Sequence, residues 1–84
     1  MTGRIRDIVS AHAHLPVDVS TLRDEDDLYE VGMTSHASVN LMLAVEDQFD
    51  VEFPDELLTR SAFQSIASIR ASLRSIGAGE DETG

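Results

Sequence analysis

The stretch of sequence that decides the fold is Gly32-Met33-Thr34-Ser35-His36, which continues without a break into residues 37–49. Six of the seven residues from 39 to 45 are apolar, and the middle of this run is Leu-Met-Leu-Ala. An apolar run of this length also fits a buried strand, and periodicity alone does not separate the two. A helix is favoured because no glycine or proline lies between residues 35 and 49, and leucine, methionine and alanine are strong helix formers.

The apolar positions of this helix form two neighbouring stripes, one of Val39 and Leu43 and the other of Met42, Val45 and Phe49. A surface helix of a small domain usually has one narrower apolar stripe. The wider apolar arc predicts that this helix contacts neighbours on several sides. We therefore expect it to be the central helix of a small bundle.

Ser35 stands where this helix begins, and two interpretations of it are open. Its hydroxyl can cap the free N–H groups of the first helical turn, which is a common use of serine. Alternatively, the hydroxyl can carry a phosphate ester, because a helix N-terminus presents unpaired N–H donors and a partial positive charge. The residues upstream of Ser35 decide between the two.

Composition limits the class of protein. A chain of 84 residues forms one domain, and the lack of cysteine excludes disulfides, thiolate metal sites and a cysteine nucleophile. No apolar stretch approaches the roughly 20 residues of a membrane span, and no signal-peptide pattern is present. We therefore expect a soluble, cytoplasmic protein that is monomeric on its own. The net charge of −10 argues against nucleic-acid binding and favours encounter with basic surfaces of partner proteins.

Upstream of the central helix, residues 3–14 are predicted to form a first helix. Ile5, Ile8 and Val9 recur there at helical spacing. Pro16 ends this helix, because the residue before a proline avoids helical geometry.

A long connection of about twenty residues, 15–34, then leads to the central helix. Apolar residues recur through it, which indicates an ordered loop, and long ordered loops are often functional. We interpret its acidic run, residues 24–27, as a solvated part of the loop, because the run lacks the ligand and glycine spacing of a calcium-binding loop.

Downstream, a short third helix is predicted from Asp55, which can cap it, to about Ser61, with Leu57 and Leu58 facing inward. Ser65 is predicted to cap a fourth helix. The apolar positions of that helix are Ile66, Ile69, Leu73 and Ile76.

Together these elements predict an all-α fold, a four-helix bundle over residues 1–76, followed by a disordered, acidic and glycine-rich tail over residues 77–84. The predicted core consists of Ile5, Ile8, Leu28, Val39, Met42, Leu43, Val45, Phe49, Phe53, Phe63, Ile66, Ile69 and Leu73.

Residues 26–35, Asp-Asp-Leu-Tyr-Glu-Val-Gly-Met-Thr-Ser, resemble the phosphopantetheine attachment region of acyl and peptidyl carrier proteins. In the peptidyl form an acidic pair, two large apolar residues, an aliphatic residue and a glycine precede the modified serine. The resemblance continues through the central helix to Phe53-Pro54 and residues 63–66, in the same order along the chain. It implies a bundle of acyl-carrier-protein type, with a long ordered first loop and a short third helix.

For function, the resemblance implies that Ser35 is esterified by the phosphate of 4′-phosphopantetheine, which a separate phosphopantetheinyl transferase donates from coenzyme A. The thiol at the end of this arm would carry a cargo as a thioester. A carrier of this kind does no bond chemistry itself, so the resemblance implies that the chain is not an enzyme. No metal site is expected either, because His12 and His14 are two residues apart, the wrong spacing for one helix face, and no carboxylate or thiol cluster lies nearby.

The attachment motif also departs from the usual pattern. Thr34 and His36 flank Ser35, where carrier proteins usually have aspartate and an aliphatic residue. The start of the central helix is nearly uncharged, whereas fatty-acid carriers place several carboxylates there. In these features the chain resembles free-standing bacterial aminoacyl carrier proteins, which are loaded by ligases similar to class II aminoacyl-tRNA synthetases. The expected partner-contact residues are His36, Ala37, Val39, Asn40 and Leu43.

Three other functions fit parts of the sequence. A carrier of fatty or other short acyl groups would share the attachment motif. A plain helical adaptor would bind a partner helix through Met42 and Leu43. An enzyme would use Ser35 and His36 as a nucleophile and its base. However, residues adjacent at a helix start point in different directions, and catalysis also needs an orienting carboxylate and an oxyanion hole. Only a carrier is expected to gain one covalent arm on one serine.

Overall fold

The computed structural model describes residues 2–77. This part of the chain forms three α-helices and three 3-10 turns and contains no β-strand. The α-helices are α1 (Thr2–His12), α2 (Ser35–Phe49) and α3 (Ile66–Ser75), and the 3-10 turns are Val19–Thr21, Asp55–Leu57 and Ser61–Phe63. The predicted all-α bundle is confirmed, whereas the predicted tail lies, apart from Gly77, outside the described residues. No helix in the described part is long and apolar enough to cross a membrane.

The helix with extensive contacts to both of the others is α1, whereas the main helical neighbour of α2 is α1. Its side chains Ile5 and Val9 are completely buried. In contrast, α2 buries only Ala37, Leu41 and Val45, which follow an i, i+4, i+8 spacing and so form a single stripe. The prediction that α2 is the central helix is therefore wrong.

The same single stripe corrects the predicted core. Val39 and Leu43 are 52% and 53% exposed, whereas Leu41, which was not predicted, is completely buried. Met42 and Phe49 pack against the edge of the core and are partly buried. Since nearly every residue in this run is apolar, the pattern does not show which side of the helix faces inward. The other predicted core residues are buried: Ile5, Ile8, Leu28, Val45, Phe53, Phe63, Ile66, Ile69 and Leu73.

The first helix is shorter than predicted. It ends at His12, because the chain turns at His14, which has a left-handed φ of 53°. A left-handed residue just beyond the last turn is a common way to end a helix. Pro16 therefore lies two residues beyond the point at which the chain turns.

The predicted third helix is present as two separate 3-10 turns. Pro54, not Asp55, occupies the cap position of the first turn, and it makes no side-chain hydrogen bond there. The prediction that Asp55 caps this element is therefore wrong. Leu58 leaves helical geometry at φ −85° and ψ 60° and is 45% exposed; its predicted inward position is wrong. The predicted cap of α3 is confirmed, because the Ser65 hydroxyl accepts a hydrogen bond from the backbone N–H of Ser68 at 3.0 Å.

Arg6 of α1 holds the first half of the long loop. Its Nη1 donates to the carbonyl of Val19 at 2.9 Å, and its Nη2 donates to the carbonyl of Leu22 at 2.8 Å. Nη2 also contacts Oδ1 of Asp24 at 2.7 Å. The second oxygen of that carboxylate accepts from Nη1 of Arg70 on α3 at 3.2 Å. Asp24 thus joins the loop to two helices while its side chain stays 32% exposed. The interpretation of the acidic run as a solvated part of the loop missed these two ion pairs.

Backbone hydrogen bonds attach the same loop to the start of α3. The carbonyl of Asp24 accepts a hydrogen bond from the N–H of Ala67 at 2.8 Å. Ala67 lies in the first turn of α3, where backbone N–H groups have no partner within the helix. The N–H of Leu28 donates to the carbonyl of Gln64 at 2.7 Å, and the Gln64 side chain donates to Asp27 at 3.0 Å. The long loop is therefore an ordered part of the bundle, as predicted.

Leu41 and Leu43 provide a matched test of which side of α2 is buried. Leu41→Ala is expected to lower the free energy of unfolding by roughly 2–5 kcal/mol, because it leaves a cavity in the core. Leu43→Ala removes the same atoms from a half-exposed side chain and should cost less than about 1 kcal/mol. Urea unfolding followed by circular dichroism measures both. Equal losses would contradict the orientation of α2.

Asp24 is expected to make stability depend on pH. The hydrogen bond from Arg6 lowers the pKa of the Asp24 carboxyl below its ordinary value, and Arg70 adds to this effect. A carboxyl with a lower pKa in the folded chain stabilises the fold above its unfolded pKa, and this stabilisation is lost as the pH falls through the folded pKa. Asp24→Asn should therefore be less stable than the parent near pH 7, by a margin that narrows below about pH 4.

Urea unfolding at a series of pH values measures this margin. Glu25→Gln, at the exposed neighbouring position, controls for the loss of one negative charge from the loop. A margin for Asp24→Asn that is the same at about pH 3 as at about pH 7 would show that the carboxylate does not stabilise the fold through its charge.

Candidate functional site

Ser35 is the first residue of α2, and Thr34 is its cap. The Thr34 hydroxyl accepts a hydrogen bond from the N–H of Ala37 at 3.0 Å, while Thr34 itself keeps an extended backbone at φ −85° and ψ 165°. The interpretation of Ser35 as the cap is therefore wrong. Because its neighbour fills that role, the exposed Ser35 hydroxyl is not needed to complete the helix.

The turn before Ser35 depends on a close contact of Gly32. This residue has a φ of +120°, and a Cβ atom on it would lie 2.8 Å from Cδ of Pro16. Only glycine adopts this backbone conformation without strain, and only glycine leaves room for the proline. Met33 is then buried, and its N–H donates to the carbonyl of Leu28 at 2.9 Å. The turn thus anchors the chain two residues before Ser35.

Ser35 lies at the edge of an open groove of about 330 Å³ between α2 and the segment of the two 3-10 turns. Val39, Met42, Leu58 and Phe63 give the groove its apolar walls, and Tyr29 and Arg60 also line it. The Arg60 guanidinium stacks on the Tyr29 ring, 4.0 Å from the ring centroid.

The wall opposite α2 is fixed by aromatic packing. The Phe63 ring meets the Phe53 ring edge to face, with the centroids 5.2 Å apart. The N–H of Phe53 donates to the Glu46 carboxylate of α2 at 2.7 Å. These contacts tie the segment after α2 back to α2 and so hold the groove open beside Ser35.

The predicted partner-contact residues separate into two groups. His36, Val39 and Leu43 are exposed and Asn40 is half-buried, so all four are accessible beside Ser35. Ala37 is only 5% exposed and faces the core. Its predicted contact with a partner therefore does not fit the structure.

Two features of the site escaped the sequence analysis. Thr34 was detectable, because threonine just before a helix is a good cap. The pairing of Tyr29 with Arg60 had no signal, since the two residues lie in different loops and meet only in the folded chain. Among the described residues, no three histidine, cysteine or acidic side chains cluster as a metal site would require.

This arrangement fits a phosphate ester on Ser35. The hydroxyl is exposed and lies at the N-terminal end of α2, where free N–H groups favour an anion. The adjacent groove is lined by one arginine and by no carboxylate, although the whole chain has 16 acidic residues. An extended, mostly apolar substituent has room beside it.

Comparison with known proteins agrees with this geometry. The family model described as "Phosphopantetheine attachment site" matches residues 3–73. The chain belongs to this family. Its members hold 4′-phosphopantetheine covalently, so this group is the cofactor of the chain. Domains of this family act as carriers and are not themselves catalytic.

Two individual relatives are aminoacyl carrier proteins, one similar over nearly the whole chain and the other over half of it. The chain is 46% identical over 81 residues to the aminoacyl carrier protein of Agrobacterium fabrum (strain C58 / ATCC 33970), covering 96% of this chain and 98% of that protein. It is also 45% identical over 42 residues to aminoacyl carrier protein 1 of Bradyrhizobium diazoefficiens. This second match covers 50% of this chain and 47% of that protein.

Solved structures share the fold. One match is to a chain in the crystal structure of engineered Bradyrhizobium japonicum glycine:[carrier protein] ligase complexed with carrier protein from Agrobacterium tumefaciens and AMP. The TM-score is 0.86 and the sequence identity is 47%, and the match covers 88% of this chain and 99% of that chain. A second match is to a chain in the crystal structure of Bradyrhizobium japonicum glycine:[carrier protein] ligase complexed with glycylated carrier protein. It has a TM-score of 0.73 and 28% identity and covers 84% of this chain and 95% of that chain.

Proposed function

We propose that this chain is an aminoacyl carrier protein whose 4′-phosphopantetheine is attached to Ser35. The observation that carries the proposal is the position of Ser35. Its hydroxyl is exposed at the start of α2, is not used as the cap, and opens onto a groove without carboxylates. The similarity to an aminoacyl carrier protein over 96% of the chain supports an amino acid as the cargo.

Each part of the site has a physical task in this function. Thr34 completes the helix start, and Gly32 and Met33 fix the path of the chain, so that the Ser35 hydroxyl points away from the core. When bound, the cofactor supplies a thiol that holds the cargo as a thioester. The carrier itself does no bond chemistry; it presents the arm at a defined place for separate enzymes.

Two enzymes are implied as partners. A phosphopantetheinyl transferase attaches the arm from coenzyme A. A ligase resembling a class II aminoacyl-tRNA synthetase then loads the amino acid, and the glycine:[carrier protein] ligase complexes of the similar chains make glycine the first cargo to test.

The ligase must reach the end of the arm and so must dock beside Ser35. The accessible surface there consists of His36, Val39, Asn40 and Leu43, and none of the four is acidic. We therefore propose that docking depends on shape and on apolar and hydrogen-bonded contacts. The net charge of −10 then acts mainly on the rate of encounter.

Intact-mass measurement after incubation with a transferase and coenzyme A tests the attachment residue. The parent chain should gain one phosphopantetheine, and Ser35→Ala should gain none while melting normally. Ser38→Ala is the matched control: it lies one helical turn away and donates to the Ser35 carbonyl at 2.8 Å, and it should still be modified. Peptide mapping that locates the arm on any other serine would contradict the assignment.

Charge substitutions test the docking surface. His36→Asp and Asn40→Glu each add one negative charge beside Ser35 and should reduce kcat/KM for glycine loading about tenfold or more, equivalent to about 1.4 kcal/mol. Arg74→Gln is the control, because it makes the same change in net charge at an exposed position on α3. It should load nearly as well as the parent.

The salt dependence of loading and acylation by fatty-acid enzymes distinguish an aminoacyl carrier from a fatty-acyl carrier. Moderate salt should slow loading without abolishing it, since only exposed charges are screened. Loading that stops in moderate salt, together with efficient acylation by fatty-acid enzymes, would instead identify a carrier of fatty acyl groups.

A further inference from the structure

Arg60 occupies an unusual position for a charged residue of this chain. The groove beside Ser35 contains one charged side chain, and that side chain is Arg60. The protein as a whole has 16 acidic residues and only 6 arginines. A single cation without a lining carboxylate makes this groove locally attractive to an anion, against the charge of the rest of the surface.

Other arginines are engaged elsewhere. Arg6 and Arg70 bind the Asp24 carboxylate. Arg4 donates to the carbonyl of Gln48 and lies over the Phe49 ring. The contact described for Arg60 is with the Tyr29 ring, at 4.0 Å. Among the arginines of the described residues, Arg60 is the one that lines the groove of Ser35.

The stacking of Arg60 on Tyr29 is compatible with binding an anion. A guanidinium that stacks through its flat face keeps its N–H donors around the rim, where they match the oxygens of a phosphate. The ring also restricts the long side chain, so less conformational freedom is lost when a ligand binds. The Tyr29 ring therefore orients Arg60 as well as contacting it.

We propose that Arg60 binds the phosphodiester of the arm on Ser35 and thereby orients the arm along the groove. This inference rests on the proposed attachment to Ser35. Because the phosphodiester is tethered to a residue that lines the same groove, its effective concentration near Arg60 is high. Arg60 is a positioning residue and takes no part in forming or breaking a bond.

Phosphorus NMR of the holo protein tests the proposal directly. The signal of the phosphodiester in the folded parent should differ from its signal in the urea-unfolded holo protein. Arg60→Gln should move the folded signal towards the unfolded value, and Arg60→Lys should restore part of the difference, because lysine keeps the charge but not the planar donor edge. Arg74→Gln, with the same change in net charge as Arg60→Gln, should leave the signal unchanged.

A second measurement requires no variant. The side-chain Nε–H resonance of Arg60 in a ¹⁵N-labelled parent should shift between the apo and holo forms, whereas that of Arg74 should not. A phosphorus signal that is the same in the parent and in Arg60→Gln, with an unshifted Arg60 resonance, would overturn the role of Arg60 while the mass gain on Ser35 stands. Failure of Ser35 to gain the arm at all would overturn both this inference and the proposed function.

Discussion

The long loop is held in the bundle by a group of contacts centred on one bridging carboxylate. Asp24 lies in the long loop and binds Arg6 of α1 through one oxygen and Arg70 of α3 through the other, while its backbone carbonyl accepts from Ala67 at the start of α3. A loop of about twenty residues loses much conformational entropy when it is ordered. A half-exposed ion pair alone contributes little; here the pairs act together with backbone hydrogen bonds and with buried Leu28.

The ordering of this loop determines where Ser35, the proposed attachment residue, lies on the surface. The loop ends in the turn at Gly32, which contacts Pro16 closely, and in Met33, which is anchored in the core. From there the chain enters α2 with Thr34 as the cap and Ser35 exposed. The same loop carries Tyr29, on which Arg60 stacks. One segment therefore sets both the position of Ser35, the proposed attachment residue, and one wall of the groove.

The sequence was informative where the signal is local. The Ser65 cap, the all-α class, the ordered loop and the position of Ser35 at a helix start follow from adjacent residues, and the family resemblance added the cofactor. The local pattern did not show which face of α2 is buried, because Val39, Leu41 and Leu43 are all apolar. Of these three residues, only Leu41 is buried when α2 packs against α1. Asp24 was misinterpreted for a related reason: its partners lie on two helices distant in sequence, so its acidic neighbours dominate the local pattern.

Native-state hydrogen exchange tests most directly whether the long loop is part of the folded unit that holds Ser35. The relevant amides are those of Leu28, Met33 and Ala67, which tie the loop to itself and to α3. If the loop is integral, these amides should exchange only through global unfolding, with the same free energy of opening as buried Val9 and Val45. Opening free energies near zero for the three amides, beside fully protected helix cores, would show that the loop is only loosely attached and does not position Ser35.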